Sequence, residues 1–454
     1  MEFLRSWPSP GRRRALWLGG PVFAAILLAA FSGAAEAQLA GKESVMGRPR
    51  LDFQSFGLSL DLLTRPDDTS DMARVGGSFD LFPRATLDVG HDSNVLRTTD
   101  NEIESAFTEM KAEAALRSNW TNHEALLIVG VDDRRVADRS RENTTDVSLG
   151  AAARFDLDHD LFTRGFAEIK RGHIPRGDDA DPGAGFEPLT FNQYLAGATF
   201  DDRQNDRLFS RFVGEVVHRS YNSTDGVSRD SLDRTSFNLR GLVGVSTGGE
   251  YDLFVSPSLL REVFVEDISE DQNSTRATVT VGAARDITGV SVFTGRVGVS
   301  HRIFDESDRD SQTDLVASGA LLWNVTPVMT FSAGADIENQ QSDDPTAGTK
   351  LVHGFNLGLD YDPVEQLILS GYLSYSNEDY QQTDREDDDY TVGLNATYFI
   401  NEYLFAGLRF EHEVSDSTLA SRDFEASTVA FRIGVKLCCR IDEGVVNPFN
   451  LGRL

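Results

Sequence analysis

The feature that most constrains this chain is a repeated segment of ten or more residues in which polar and apolar side chains alternate. Clear examples are residues 207–219, 294–303, 403–413 and 428–437. In the second of these, Arg296 and Arg302 share one parity, and Val297 and Val299 share the other. Successive side chains of a strand point to opposite faces, so a period of two predicts strands with one polar and one apolar face and disfavours amphipathic helices.

The connections between these segments alternate between short and long. The predicted short turns are 119–122, 156–160, 202–206, 247–250, 288–289, 325–327, 362–363 and 401–402. The predicted long loops are 98–104, 132–143, 175–186, 222–231, 266–274, 305–313, 340–348, 378–389 and 415–422. This asymmetry is typical of outer-membrane barrels, with turns in the periplasm and loops outside.

We therefore predict an all-β, transmembrane, antiparallel up-and-down β-barrel of about eighteen strands, with sixteen as the alternative. A soluble β-sandwich or propeller also alternates in polarity, but its strands are usually nearer five or six residues. No apolar run after residue 31 approaches the roughly 18 residues that a spanning helix needs.

The first residues have the three-part order of a secretory signal peptide. Basic Arg5 and Arg12 precede an apolar region, residues 15–31, and Ala35-Glu36-Ala37 then forms a small-x-small cleavage site before Gln38. The expected domains are a signal peptide at 1–37, a periplasmic leader or plug at 38–81, the barrel at 82–439 and a periplasmic tail at 440–454. A cleaved signal followed by a strand-built span predicts the outer membrane of a Gram-negative cell.

Composition and motifs limit the classes of function that are open to this chain. The formal net charge of −29 argues against nucleic acid as a partner, because phosphate backbones recruit Lys and Arg. Cys438 and Cys439 are adjacent, which fits a vicinal disulfide or two free thiols but not a C-x-x-C site. The sequence has no H-E-x-x-H or P-loop motif, so we expect no enzyme activity and no cofactor.

The candidate functional residues are cations on the parity predicted to face the barrel interior. They are Arg164, Lys170, Arg207, Arg211, Arg219, Arg234, Arg240, Arg276, Arg296, Arg302, Arg409 and Arg432. Rings of Arg or Lys are the usual selectivity device of anion pores, so these residues are predicted to line a path for anions. The alternative is that they pair with interior acids such as Glu168 and Glu215 and merely fill the barrel.

The acidic excess lies mainly in the predicted loops. Clustered carboxylates can bind Ca²⁺ or Mg²⁺, and the weak candidates are Asp305, Glu306, Asp308 and Asp310. No loop has the ligand spacing and central Gly of an EF-hand. Solvated loops are therefore the preferred interpretation, and no metal site is predicted.

The start of the mature chain carries several short motifs, which are Arg48-Pro49-Arg50, Phe56-Gly57, Gly77-Ser78-Phe79 with Pro83, and Asp92-Ser93-Asn94-Val95. In these motifs the chain resembles the putative β-barrel porin type 2 family of outer-membrane proteins. The resemblance implies an outer-membrane barrel, and members of this family are often associated with exopolysaccharide or capsule production. It supplies no catalytic residues.

The expected function is a porin-like pore or conduit for anionic solutes or exopolysaccharide. The alternative is a structural or adhesive barrel with acidic surface loops and a closed interior. Expected partners are outer-membrane lipid and lipopolysaccharide, the barrel assembly machinery, and an anionic polysaccharide with its export machinery.

Overall fold

The computed structural model describes residues 73–75, 78–158, 161–202, 207–223, 225–226, 228–247, 251–265, 272–286, 291–306, 309–326, 328–343, 347–381 and 383–436. The predicted signal peptide, most of the predicted leader, the tail and the two cysteines lie outside these residues. Within them, no helix is long and apolar enough to cross a membrane.

In the described ranges, nineteen strands form one antiparallel sheet. They are β1 (Ala73–Val75), β2 (Phe79–Asp92), β3 (Ser105–Ser118), β4 (Glu124–Val136), β5 (Thr144–Asp158), β6 (Leu161–His173), β7 (Thr190–Asp202), β8 (Leu208–Tyr221), β9 (Arg234–Ser246), β10 (Asp252–Phe264), β11 (Ser274–Asp286), β12 (Ser291–Phe304), β13 (Gln312–Thr326), β14 (Met329–Gln341), β15 (Thr349–Val364), β16 (Leu367–Tyr380), β17 (Glu386–Phe399), β18 (Leu404–Ser417) and β19 (Phe424–Lys436). Single 3₁₀ turns at Ser140–Glu142 and Asp230–Leu232 lie in two of the long loops.

The sheet closes on itself. Strand β19 pairs with β2 in a register that places Thr428 opposite Asp92 and Lys436 opposite Arg84. Each strand from β2 to β19 is thus paired on both sides, and the short β1 adds a hairpin to the start of β2. The predicted fold class, a closed up-and-down barrel of eighteen antiparallel strands, is confirmed.

The two faces of the barrel differ as the alternation predicts. On β2, Leu87 and Val89 point outward with 48% and 51% of their surface exposed, whereas Asp88, between them, is 1% exposed. On β12, Val297 and Val299 are exposed, and Arg296 is buried. The outward face is therefore an apolar belt suited to lipid, and the polar side chains turn inward.

Several predicted strand ends were wrong, and the reason is electrostatic. Residues 132–136, 378–380 and 386–389 were predicted to lie in loops because they are rich in charge, but they belong to β4, β16 and β17. Their inward carboxylates have cationic partners: Lys111 contacts Asp132 at 2.7 Å, and Lys350 contacts Glu378 at 2.5 Å. Charge that is paired inside the barrel does not end a strand.

The turn predicted at residues 362–363 was also wrong, because β15 extends to Val364 and the turn lies at 365–366. The register shifts between Tyr361 and Val364, which marks a bulge at this point. The backbone N–H of Asp362 donates to the carbonyl of Val328 at 2.8 Å, so this part of the strand remains bonded to its neighbour.

Glycines make room for interior aromatic rings. Phe107 on β3 lies directly opposite Gly90 on β2, and a Cβ on Gly90 would come within 2.5 Å of the Phe107 ring. The same cross-strand arrangement recurs for other pairs, which are Phe191 with Gly172, Phe166 with Gly197, Phe209 with Gly244, Phe254 with Gly282, Tyr372 with Gly393, and Phe405 with Gly434. Each ring lies over the glycine of the neighbouring strand and fills the space that a side chain would occupy on the inner wall.

Candidate functional site in the barrel interior

The predicted basic residues face the interior. Nine of them are buried on the inner wall: Arg164, Arg211, Arg219, Arg234, Arg240, Arg276, Arg296, Arg302 and Arg409. Lys170 and Arg432 also lie on inward positions and are half-buried. Arg207 differs, because it precedes β8 and is exposed at the rim that carries the short turns.

Several of these arginines pair with interior acids. Arg240 contacts Glu215 at 2.9 Å, as the filling interpretation expected, and Arg211 donates to Asp201. Further along the wall, Arg409 donates to Glu411 at 2.8 Å, and Arg432 donates to Asp88 at 2.8 and 3.0 Å. Pairing with acids therefore neutralises part of the positive charge of the inner wall. These ion pairs do not by themselves decide whether the arginines merely fill the barrel or select anions.

Three pairs of interior arginines lie directly opposite each other on neighbouring strands. Arg154 is opposite Arg164, Arg219 is opposite Arg234, and Arg276 is opposite Arg302. Like charges that face each other across strands destabilise a sheet. Each opposed pair therefore needs nearby acceptors that offset its charge.

Two of these pairs form one cluster near the rim that carries the long loops. We call Arg219, Arg234, Arg276 and Arg302 the arginine arc. Glu262 on β10 lies among them: it accepts a hydrogen bond from Arg302 at 2.8 Å and is an electrostatic neighbour of Arg234 and Arg276 as well. Arg302 is 1% exposed, so the cluster is shielded from bulk water.

The end of β14 and the loop that follows cover the arginine arc. Arg276 donates to the carbonyl of Asn339, and Arg302 donates to the Asn339 side-chain oxygen at 3.1 Å and to Gln341 at 2.8 Å. Arg234 donates to Asp343 at 2.5 Å. We call residues 339–343 the covering segment, since its oxygen atoms accept hydrogen bonds from three of the four arginines.

A second loop crosses the interior at the same rim. This inward loop, residues 174–189, connects β6 to β7 and carries Asp179 to the opposite wall. The Asp179 carboxylate accepts hydrogen bonds from Lys350 at 3.1 Å, from Tyr380 at 2.5 Å and from Arg385 at 2.9 Å. These contacts fasten the loop across the barrel, and we call them the Asp179 latch.

Further contacts position the inward loop. Arg422 donates to the backbone carbonyls of Asp178 at 2.6 Å and Asp179 at 3.1 Å. Arg176 binds Glu142 at 2.8 Å and Asp181 at 2.9 Å. An apolar cluster anchors the base of the loop and consists of Ile174, Ala180, Leu189, Phe191, Tyr221 and Leu232. The inward loop is therefore held in a defined position inside the barrel by hydrogen bonds, ion pairs and apolar packing.

The two neighbouring carboxyl groups of this loop respond oppositely to their surroundings. Burial raises the pKa of Asp178 well above its usual value, and the carboxylates of Asp179 and Asp343 raise it further. Burial also opposes ionisation of Asp179, but Lys350 and Arg385 outweigh that effect and hold the pKa of this carboxyl below its usual range. Asp179 therefore acts as the charged member of the latch.

Asp179, Glu378 and Asp387 bring carboxylate oxygens within 4.8 Å of one another, a spacing that could hold a metal ion. Lys350 bonds to Asp179 and Glu378, and Arg385 bonds to Asp179 and Asp387. Each of the three carboxylates thus already has a cationic partner, which favours a latch over a metal site. Among the weak candidates from the sequence, Asp305 is bound by Arg261 at 2.6 Å, and Asp308 lies outside the described residues.

The wall opposite the basic strands is acidic. Inward carboxylates on β13 to β18 include Asp314, Asp336, Glu338, Asp360, Glu378, Asp387, Glu411 and Glu413. Among the described inward residues of these strands, the cations are Lys350 and Arg409. The interior is consequently polarised across its width, with arginines concentrated on β6 to β12.

Sequence reasoning missed Asp179, Lys350, Tyr380 and Arg385, because these residues were assigned to loops or left unassigned. One signal was present: Lys350 and Arg385 are isolated cations in an acidic part of the chain. Isolated cations of this kind could have been expected to pair with buried carboxylates.

A closed barrel of eighteen strands with a polar, charged interior and an apolar outer belt defines a porin-type membrane β-barrel. The sequence matches the family described as Putative beta-barrel porin 2 over residues 73–437, and the chain belongs to this family of porin-like outer-membrane barrels. The resemblance inferred from the motifs is thereby confirmed. No functionally curated protein matches the sequence.

Solved structures of outer-membrane proteins share a general likeness with the barrel. OccK2 (OpdF) from Pseudomonas aeruginosa is 10% identical, with 79% of this chain and 98% of that chain covered and a TM-score of 0.47. OccK1 (OpdK) from the same organism is 11% identical, with 78% and 98% covered and a TM-score of 0.46. The siderophore receptor PirA from Pseudomonas aeruginosa is 11% identical, with 78% and 80% covered and a TM-score of 0.41.

Proposed function

We propose that this protein is an outer-membrane pore that admits anionic solutes along the basic side of its interior. The observation that carries the proposal is the placement of interior arginines in directly opposed pairs, as in Arg276 with Arg302 and Arg219 with Arg234. A pore that passes anions needs positive charge that is held in place before the solute arrives. Strand pairing provides that rigidity.

The polarised interior supports the same function. An anion that enters is attracted by the arginines of β6 to β12 and repelled by the carboxylates of β13 to β18, so its path follows one wall. Arg presents a planar fork of donors that matches a carboxylate or phosphate. Acidic sugars are therefore suitable solutes. The family resemblance suggests an acidic exopolysaccharide as a polymeric solute of the same chemistry.

Location and partners follow from this proposal. The apolar belt would contact outer-membrane lipid, the loop rim would face lipopolysaccharide, and the N-terminal signal would direct export before insertion by the barrel assembly machinery. The acidic loops of the outer rim would approach lipopolysaccharide phosphates through divalent cations from solution.

Solute flux into proteoliposomes tests the proposal. We would compare swelling rates in glucuronate, an anion, and in glucosamine, a cation of similar size. The wild type is expected to pass glucuronate faster, and the variant Arg154→Gln/Arg164→Gln, which removes the opposed pair outside the arginine arc, is expected to lose most of that preference. Arg261→Gln is the matched control, because Arg261 is only partly buried and pairs with Asp305 at the loop rim. Faster passage of glucosamine by the wild type would overturn the proposal.

A second function is favoured by one specific observation. The inward loop and the covering segment both cross the interior at the loop rim, and such an arrangement also suits a closed structural or adhesive barrel. Proteoliposomes that contain folded protein but swell in neither solute would support that alternative.

A further inference from the structure

The covering segment contacts the arginine arc in the manner of a ligand. It presents one backbone carbonyl and one amide oxygen from Asn339, one amide oxygen from Gln341 and one carboxylate from Asp343. All of these groups accept hydrogen bonds from guanidinium donors on other strands. We infer that the arginine arc is a binding site for solutes that carry two or more carboxylates, and that the covering segment occupies it as an internal ligand until such a solute displaces it.

Charge explains why displacement would be favourable. Arg276 and Arg302 receive only neutral oxygens from the covering segment, and Asp343 provides its single carboxylate, to Arg234. A carboxylate adds a negative charge opposite the guanidinium group and can accept two parallel hydrogen bonds from its fork, which a single amide or carbonyl oxygen cannot do. A solute with several carboxylates would replace the neutral acceptors with charged ones.

The positions of the arginines set the requirement for more than one carboxylate. Arg276 and Arg302 face each other across adjacent strands, where Cβ atoms lie about 5 Å apart. Arg234 lies at the same rim and shares Glu262 with them as an electrostatic neighbour. A single carboxylate cannot engage all three forks, whereas two or three carboxylates on one small solute can.

Three further side-chain hydrogen bonds hold the covering segment in place over the arginine arc. Asn339 donates to Asp314 at 2.9 Å, Gln341 donates to Gln272 at 3.3 Å, and Tyr221 donates to Asp343 at 3.4 Å. Most of these are neutral or long bonds, which cost less to break than the Asp179 latch on the neighbouring loop. The backbone of Asn339 to Gln341 stays paired with β15, so displacement means that the side chains of the covering segment, including Asp343, turn away from the arginines.

This inference rests on the proposed function, since it names the solute class of the same basic wall. It is tested by calorimetric titration of citrate into the refolded full-length chain in detergent, a measurement that requires no conduction. Asp343→Asn removes the internal carboxylate and is expected to bind citrate about tenfold more tightly than the wild type. Arg276→Gln/Arg302→Gln is expected to bind at least about tenfold more weakly.

The controls separate the effect from general changes of charge. Asp305→Asn removes a carboxylate from a neighbouring loop, where it pairs with Arg261 outside the arc, and should leave citrate binding unchanged. Acetate, a monocarboxylate, should bind weakly to every variant. The conservative variant Arg276→Lys/Arg302→Lys keeps the charge but lacks the forked donors, so it should fold normally and still bind citrate more weakly than the wild type.

The outcomes distinguish this inference from the proposed function. If Asp343→Asn binds citrate no more tightly than the wild type, the internal-ligand inference is wrong even where flux is anion-selective. If citrate binds as expected but no solute passes, the result supports the binding site and overturns the proposed pore function. Titration with trigalacturonate distinguishes the two sources of such carboxylates, small solutes and acidic sugar chains.

Discussion

The Asp179 carboxylate, on the loop between β6 and β7, lies 3.1 Å from the Lys350 ammonium group on β15, half of the barrel circumference away. Both side chains are almost fully buried. A surface loop crosses the interior only when a partner on the far wall compensates its charge. The pair thus determines how the loop rim of the barrel is arranged.

Breaking this pair should release the inward loop. Lys350→Met leaves Asp179 and Glu378 with less compensation, and removal of one partner of a buried ion pair typically costs about 3 to 5 kcal/mol. We expect hydrogen exchange in residues 174–189 to accelerate strongly while exchange in the strands stays slow. Glu187→Gln is the matched control, because its contact with Arg141 is long, at 3.6 Å, and exposed. Equal protection of the loop in Lys350→Met and wild type would contradict the latch.

The docking of this loop should depend on pH through Asp178. Its raised pKa means that the docked loop favours the protonated carboxyl, so the stabilisation is complete below the usual carboxyl pKa and is lost as pH rises through the raised value. The groups that face it are Asp179, Asp343, Lys350 and the N–H of Ala180.

Hydrogen exchange of the loop at pH 5 and pH 8 checks this prediction. Protection factors for residues 174–189 should fall at the higher pH in the wild type. Asp178→Asn keeps an oxygen for the Ala180 N–H but cannot ionise, so its protection should be higher at pH 8 and nearly independent of pH. A wild-type loop with equal protection at both pH values would refute the assignment. Asp179 should not contribute, because its lowered pKa places its titration below this range.

The glycine and aromatic pairs should stabilise the barrel wall. A Cβ at position 282 would lie 2.4 Å from the Phe254 ring, so Gly282→Ala forces the ring or the strand to move. Overpacking of this kind costs about 1 to 3 kcal/mol, which urea unfolding in lipid vesicles can measure. Gly165→Ala is the control, since nothing lies within 4 Å of a Cβ there. If both variants unfolded at the same urea concentration, ring packing would not limit the substitution.

The sequence was sufficient to predict the barrel because strand alternation and loop asymmetry are local properties. The faces of β12 and β18 follow from parity alone, and the burial of Arg296 and Arg409 agrees with it. The inward loop was not predictable in this way. Its acidic residues resemble a solvated loop, and the partners that compensate them, Lys350 and Arg385, are distant in sequence.

The arginine arc was predicted in part. All four members were placed on the inner wall from the sequence, but their opposed pairing depends on the register between strands, which alternation does not determine. Residues 340–343 of the covering segment were assigned to a loop, whereas Gln340 and Gln341 complete β14. Amide side chains gave no signal that they would serve as acceptors for distant arginines.

The reversal potential of the wild-type protein in a planar bilayer under a KCl gradient tests the central claim most directly. A potential whose sign shows chloride to be more permeant than potassium is the predicted result, because the positive charge of the interior arginines on β6 to β12 attracts anions into the pore. A potential of the opposite sign, from a folded barrel with its loops in place, would contradict the account.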